Sequence, residues 1–128
     1  MELEPLTKSI PESEPKIRIY QRYVVLNAAT VRLLGLNDRD YVQVAKPVYG
    51  FRKELYIRKT NLTAGSYTAR VQKGKGTMRI SSLKLATLLA QHLEGYGCYL
   101  VSPSVSVEDK DGIYYNIFFR NYDKKNSD

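Results

Sequence analysis

One stretch, Tyr23–Val44, constrains the fold of this chain more than any other. Tyr23-Val-Val-Leu26 is aromatic and β-branched, which suits a pleated surface. Asn27 stands where a helix N-cap belongs, its side-chain oxygen placed to accept from a free backbone N–H. Val31 and Leu34 share one helical face. Gly35, free to take positive φ, ends the helix. Asn37-Asp-Arg-Asp40 then supplies turn chemistry before the strand Tyr41-Val-Gln-Val44.

The same order recurs downstream. Thr77-Met-Arg-Ile80 reads as a short strand, and Ser81-Ser82 as a helix cap. Leu85, Leu88, Leu89 and Leu93 form an apolar stripe at helical spacing. Glu94-Gly-Tyr-Gly97 makes a turn into the strand Cys98-Tyr-Leu-Val101. Each copy continues into a hairpin: Lys46–Phe51 to Glu54–Arg58 in the first, and Val105–Val107 through Asp109-Lys-Asp-Gly112 to Ile113–Phe119 in the second. The β-α-β-β order repeats with an offset of 54 at the helix (Leu34 to Leu88) that grows to 60 at the last strand (Ile57 to Ile117).

A chain of 128 residues with 43% hydrophobic content holds one domain, or two small halves around one core. No apolar run approaches the ~20 residues that span a bilayer. The expected division is an acidic disordered arm at 1–15, a first half at 16–65, a second at 66–122 and a disordered tail at 123–128. The single cysteine, Cys98, excludes an internal disulfide, and with one histidine, His92, no metal-ligand spacing exists. A cytoplasmic protein without metal or cofactor is expected. His92 falls on the apolar stripe as a packed side chain. No nucleophile, base and orienter are brought together, so a non-enzyme is expected.

Charge is unevenly spread. Residues 1–15 carry one lysine against four glutamates; residues 16–107 carry fifteen Lys/Arg against four Asp/Glu; residues 108–128 carry four against five. The body is thus far more basic than the overall +7, which favours polyanionic partners. Ile17, Ile19, Tyr23 and Val25 are expected on one strand face, with Arg18, Tyr20 and Arg22 on the other as a phosphate-contacting strip. The densest basic window, residues 52–79, holds Arg52, Lys53, Arg58, Lys59, Arg70, Lys73, Lys75 and Arg79. Within it Gly74-Lys-Gly76 is too short for a nucleotide-phosphate loop, but its lysines sit on a turn that could settle on a phosphate backbone or simply close a hairpin. Of the eleven tyrosines, eight fall in predicted strands. They are expected mainly in core and cross-strand packing, with exposed Tyr20 the mark of single-strand stacking.

Residues 22–44 resemble the AbrB (SpoVT/MazE-type) DNA-binding unit, whose pattern runs G-R-V-V-[IL]-P, a short helix ending L-G-[IL], then x-x-G-D-x-[VL]-x-[VIL]. Val24-Val25-Leu26 matches the strand, Leu34-Gly35-Leu36 the helix end, and Arg39-Asp40-Tyr41-Val42-Gln43-Val44 the last element. Gly76-Thr77-Met78-Arg79-Ile80-Ser81 is similar to the same entry in a second copy. Arg22 stands for the family's glycine, Tyr23 and Thr77 for its arginine, and Asn27 and Ser81 for its proline.

The resemblance implies an interleaved β-barrel, an α+β, β-rich pseudo-dimer of two β-α-β-β repeats in one chain. It further implies a transcriptional regulator that presents basic residues of the entry strands and loops to double-stranded DNA. The nucleic-acid-binding residues expected here are Arg18, Arg22, Arg52, Lys53, Arg70, Lys73, Lys75 and Arg79, with Arg22 and Arg79 as base readers. A monomeric pseudo-dimer or a homodimer, with no membrane association, fits this reading. Two other functions stand beside it: an RNA or single-strand binder, and a protein-interaction module that kept the barrel and lost DNA binding.

Overall fold

The computed structural model describes residues 14–47, 54–72, 76–110 and 112–125, with residues 124 and 125 described by backbone alone. Arg52, Lys53, Lys73 and Lys75 lie outside the described residues, as do most of the N-terminal arm and the turn between the strands of the first hairpin.

The described residues open with a hairpin that the sequence pattern does not foretell. Strand β1 (Lys16–Ile19) pairs with β2 (Val24–Leu26) in antiparallel register, Arg18 opposite Val25. The turn between them is closed by the Tyr20 N–H donating to the Tyr23 carbonyl at 2.9 Å. This reversal changes the expected alternation. Ile17, Ile19, Val24 and Leu26 point inward and are almost fully buried. Val25 therefore joins Arg18 on the outer face, and Arg22 sits in the turn.

Helix α1 (Ala28–Leu34) begins and ends as its residues dictate. The Asn27 side chain accepts from the Thr30 N–H, and Gly35 takes φ 67° to close the C-terminus. Asn27 also ties the helix to β1, since its Oδ1 accepts from the Lys16 N–H at 2.9 Å. Strand β3 (Tyr41–Ala45) then pairs with β4 (Leu55–Thr60). The segment after β4 makes two short strands, β5 (Tyr67–Thr68) and β6 (Arg70–Val71), before β7 (Met78–Ile80). Helix α2 (Leu83–His92) is capped by Ser82, which accepts from the Leu85 N–H. Leu85, Leu89 and Leu93 are buried, but Leu88, expected on the same stripe, is partly exposed.

Strand β8 (Gly97–Asp109) is one long strand where two were expected. Its first part pairs with β1 and its second with β9 (Gly112–Ile117). A bulge interrupts the β8–β9 ladder: Ser102 pairs with Asn116 and Ser106 with Tyr115, leaving 103–105 without partners. Pro103, which has no N–H to offer a ladder, is tolerated at such a bulge. The C-terminal stretch, read from sequence as a tail, carries a short helix α3 (Tyr122–Lys125). Asn121 anchors it, donating from its side chain to the Tyr96 carbonyl at 2.8 Å and from its backbone to Glu94 Oε1 at 2.9 Å. The Asn121 amide lies directly on Gly97, at φ 145°, where a Cβ would collide with it.

The nine strands form one sheet in the order β5-β3-β4-β9-β8-β1-β2-β7-β6. The two end strands are consecutive in the chain, separated by Ala69 alone. The Ala69 N–H donates to the Asp40 carbonyl at 2.9 Å, and its own carbonyl accepts from the Arg39 N–H at 2.8 Å. The sheet thus returns on itself as a nearly closed, strand-rich barrel. Its interior is filled by Ile17, Leu26, Val42, Ile57, Ile80, Tyr99 and Ile117 with their neighbours, and by Leu34, Leu85 and Leu89 from the two longer helices. Of the tyrosines expected in core and cross-strand packing Tyr99 is fully buried, and Tyr67 and Tyr115 are partly buried against the core. No helix among the described residues is long and apolar enough to cross a membrane.

Candidate nucleic-acid interface

Antiparallel register determines which outward side chains become neighbours. Arg18 on β1 lies opposite Val25 on β2, Val25 opposite Arg79 on β7, and Arg79 opposite Arg70 on β6. Four adjacent strands thereby set Arg18, Val25, Arg79 and Arg70 in one row across the outer face. At about 4.8 Å per strand the row spans roughly 14 Å. Its inward neighbours Ile17, Leu26, Met78, Ile80 and Ala69 are buried, so the row stands on packed wall.

Each arginine of the row is held differently. Arg18 makes a two-pronged contact with Asp123 of α3, at 2.9 and 3.4 Å. Partial burial works against the Arg18 charge, but this contact, with the nearby Cys98 and Tyr20, raises its pKa. Arg70 Nε lies 3.4 Å from Asp38. The Val71 N–H donates to that carboxylate at 2.9 Å, and this bond, reinforced by Arg70, lowers the Asp38 pKa despite a desolvation effect of opposite sign. Arg79 stacks its guanidinium on the Tyr23 ring at 4.6 Å and donates to Ser81 Oγ at 3.2 Å. Tyr20 covers Tyr23 from the hairpin turn, ring centroids 4.7 Å apart. Among the described residues no carboxylate pairs with Arg79 or Arg22. At this end the face thus carries a fixed cation and an exposed one, with an aromatic stack beneath.

Neighbouring cations extend the field. Lys16 Nζ lies 4.7 Å over the Tyr122 ring. Elsewhere the barrel consumes its charge internally. Arg58, only 3% exposed, donates to Gln43 Oε1 at 3.0 and 2.7 Å, pairs with Asp109 at 3.0 Å and lies 4.2 Å over Tyr114. Lys59 pairs with Asp40 at 3.3 Å.

The structure thus brings together Arg18, Arg70 and Arg79 and places Arg22 in the adjoining turn. The sequence did not reveal Tyr23 as the support of Arg79 or Asp123 as the partner of Arg18. Tyr20 does stand out, at 40% exposure. Among the described residues no cluster of three or more His, Cys, Asp or Glu side chains could hold a metal ion. Burial raises the Cys98 thiol pKa, which keeps it in the protonated, weakly nucleophilic form. His92 is half-buried at a small cleft between α2 and β3, beside Leu88 and Lys46.

No family model, no characterised protein and no solved structure matches this chain.

Proposed function

We propose that this protein is a non-catalytic double-stranded DNA-binding protein of transcription-regulator type, built on an AbrB-like barrel of two β-α-β-β halves. The observation that carries the reading is the cross-strand row Arg18–Val25–Arg79–Arg70 with Arg22 beside it. Guanidinium groups suit phosphate oxygens by shape as well as charge. A span of roughly 14 Å is commensurate with a DNA major groove about 12 Å wide. Phosphates would be held along the row, and Arg79, pre-oriented on Tyr23, with Arg22 would reach base edges.

Two further observations support the two-half reading. Strands β2 and β7 pair Val25 with the residue 54 positions later, and β4 and β9 pair Tyr56 with the residue 60 positions later. These are the offsets at which the two sequence copies match, as a two-fold relation between halves requires. Arg39 occupies the glycine position of the family pattern, and its φ of 71° is a conformation glycine favours. Under that relation Val25 and Arg79 are equivalents, so the two halves would read a site unequally.

The exposed face of Tyr20 favours one second reading, stacking on an unpaired base. Tyr23, sandwiched between Tyr20 and Arg79, offers no second platform. Fluorescence anisotropy with labelled duplex DNA, single-stranded DNA and RNA across a salt series separates the two. Duplex preference, with log K falling by about 0.9 per phosphate contacted for each unit of log salt, is expected. Preference for single strands that is lost in Tyr20→Ala would replace the duplex reading, and no binding to any of the three would end both.

A further inference from the structure

An apolar groove with acidic walls lies where β4, β9 and the bulge of β8 meet, and the arginine row makes no use of it. A cleft of about 550 Å³ is lined by Glu54, Tyr56, Glu94, Val105, Phe118 and Phe119 among others. A second cleft of about 550 Å³ shares Val105, Asn116 and Phe118 with it and runs on to Glu14 and Pro15. The bulge at 103–105 lifts Val105 out of the ladder, leaving it 51% exposed. Phe118 and Phe119, at 40% and 39%, present adjoining rings 5.3 Å apart. An apolar cleft with a few polar groups on its walls is the usual form of a binding site.

Charge specifies what binds. Between residues 16 and 107 the chain has four acids. Asp38 pairs with Arg70 and Asp40 with Lys59. The other two, Glu54 and Glu94, have no cationic partner among the described residues, and both line this cleft. Glu14 lines the continuation, and among the described residues no lysine or arginine lines either part. Within a protein of net charge +7, Glu54 and Glu94 thus stand beside exposed phenylalanines rather than beside a described cation. Such a surface repels nucleic acid and attracts a cationic, apolar ligand. The Tyr56 hydroxyl and the Asn116 amide add polar groups able to meet a peptide backbone, the usual makeup of a recognition cleft.

We propose that this groove docks an extended peptide segment of a partner protein, one that presents apolar side chains flanked by lysine or arginine. The segment's apolar residues seat on Phe118, Phe119 and Val105, and its cations face Glu54 and Glu94. The site is separate from the arginine row and does not depend on the DNA reading.

The test is fluorescence anisotropy of the full chain with two labelled hexapeptides, one alternating lysine and leucine, the other glutamate and leucine. The lysine peptide is expected to bind at least about tenfold more tightly, a preference that shrinks with added salt. Glu54→Gln with Glu94→Gln should remove most of that preference, the glutamine at 94 retaining an acceptor for the Asn121 N–H. Phe118→Ser and, separately, Val105→Ser should each weaken the lysine peptide, with unchanged thermal melting showing that the barrel is intact. Equal binding of both peptides, or binding indifferent to both apolar substitutions, would overturn the proposal. So would a wild-type dimer in sedimentation that Phe118→Ser dissociates while neither peptide binds, since the groove's occupant would then be a second copy of the chain.

Discussion

Arg70 and Arg79 stand directly opposite one another on β6 and β7. Like charges in that relation destabilise a sheet by a few tenths to about 1 kcal/mol. Asp38 and the Tyr23 ring relieve part of this, yet the fold retains the repulsion. Replacing Arg79 by Gln should therefore change unfolding free energy by less than ~1 kcal/mol, because lost repulsion offsets the lost stacking. The same change should weaken duplex binding and lower the salt slope by about 0.9. Chemical denaturation and salt-dependent anisotropy on one preparation check both halves of the prediction.

Arg58 should behave oppositely. Its side chain is buried among Gln43, Tyr114 and Asp109, joining β4 to the β8–β9 hairpin. Arg58→Met keeps an unbranched apolar stem and removes every hydrogen bond of the guanidinium. Because Asp109 is near the surface and regains water, the cost falls short of a fully buried pair, at about 1–3 kcal/mol. Nucleic-acid affinity should not change in the protein that remains folded. Urea denaturation alongside anisotropy distinguishes the outcomes.

At Arg39 a non-glycine residue holds a left-handed conformation. That geometry costs an L-residue roughly 1–2 kcal/mol, while glycine in its place loses about 0.5–1 kcal/mol more backbone entropy on folding. Arg39→Gly should thus be neutral or stabilise by up to about 1 kcal/mol, an unusual result for an arginine-to-glycine change. A thermal midpoint that drops by several degrees would show that the Arg39 side chain contributes something besides its backbone.

Burial pushes the Tyr99 phenol up to about 12, its hydroxyl donating to the Gly95 carbonyl at 2.7 Å. In the unfolded chain a tyrosine ionises near about 10. The folded state therefore binds the proton more tightly, and stability present below about pH 10 falls as pH rises toward 12, by up to about 3 kcal/mol. Tyr99→Phe should cost about 1 kcal/mol at neutral pH through the lost hydrogen bond and flatten the alkaline decline. Denaturant titrations at neutral and alkaline pH compare the two proteins.

Features encoded within a few residues were legible in the sequence. Asn27, Gly35 and Ser82 cap and terminate helices through bonds to near neighbours, and all three do what their chemistry dictates. The β1–β2 hairpin was not legible, because Tyr20-Gln-Arg-Tyr23 contains no glycine or proline to announce a reversal. That reversal carries Tyr23 and Val25 to the outer face, opposite the one that unbroken alternation predicts. The sequence predicts strands at Cys98–Val101 and Val105–Val107, whereas one strand β8 runs through Pro103 and its flanking serines by means of the bulge. Arginines 18, 70 and 79 were visible as residue types. Their alignment depends on three strand registers, and the Asp123 that holds Arg18 lies 105 residues away. Nothing local carries that information.

The connection through Ala69 gives the barrel a seam. One five-residue segment zips to β3 on one side and to β7 on the other, with two paired residues each. So short a seam is where the wall is expected to open first, and Arg70 stands on that segment. A polyanion clasping Arg70 together with Arg18 and Arg79 would span this weak point and hold it shut. Amide protons of residues 67–71 would then slow their exchange with solvent when nucleic acid is bound, so that the ligand acts as a hoop on the barrel it recognises.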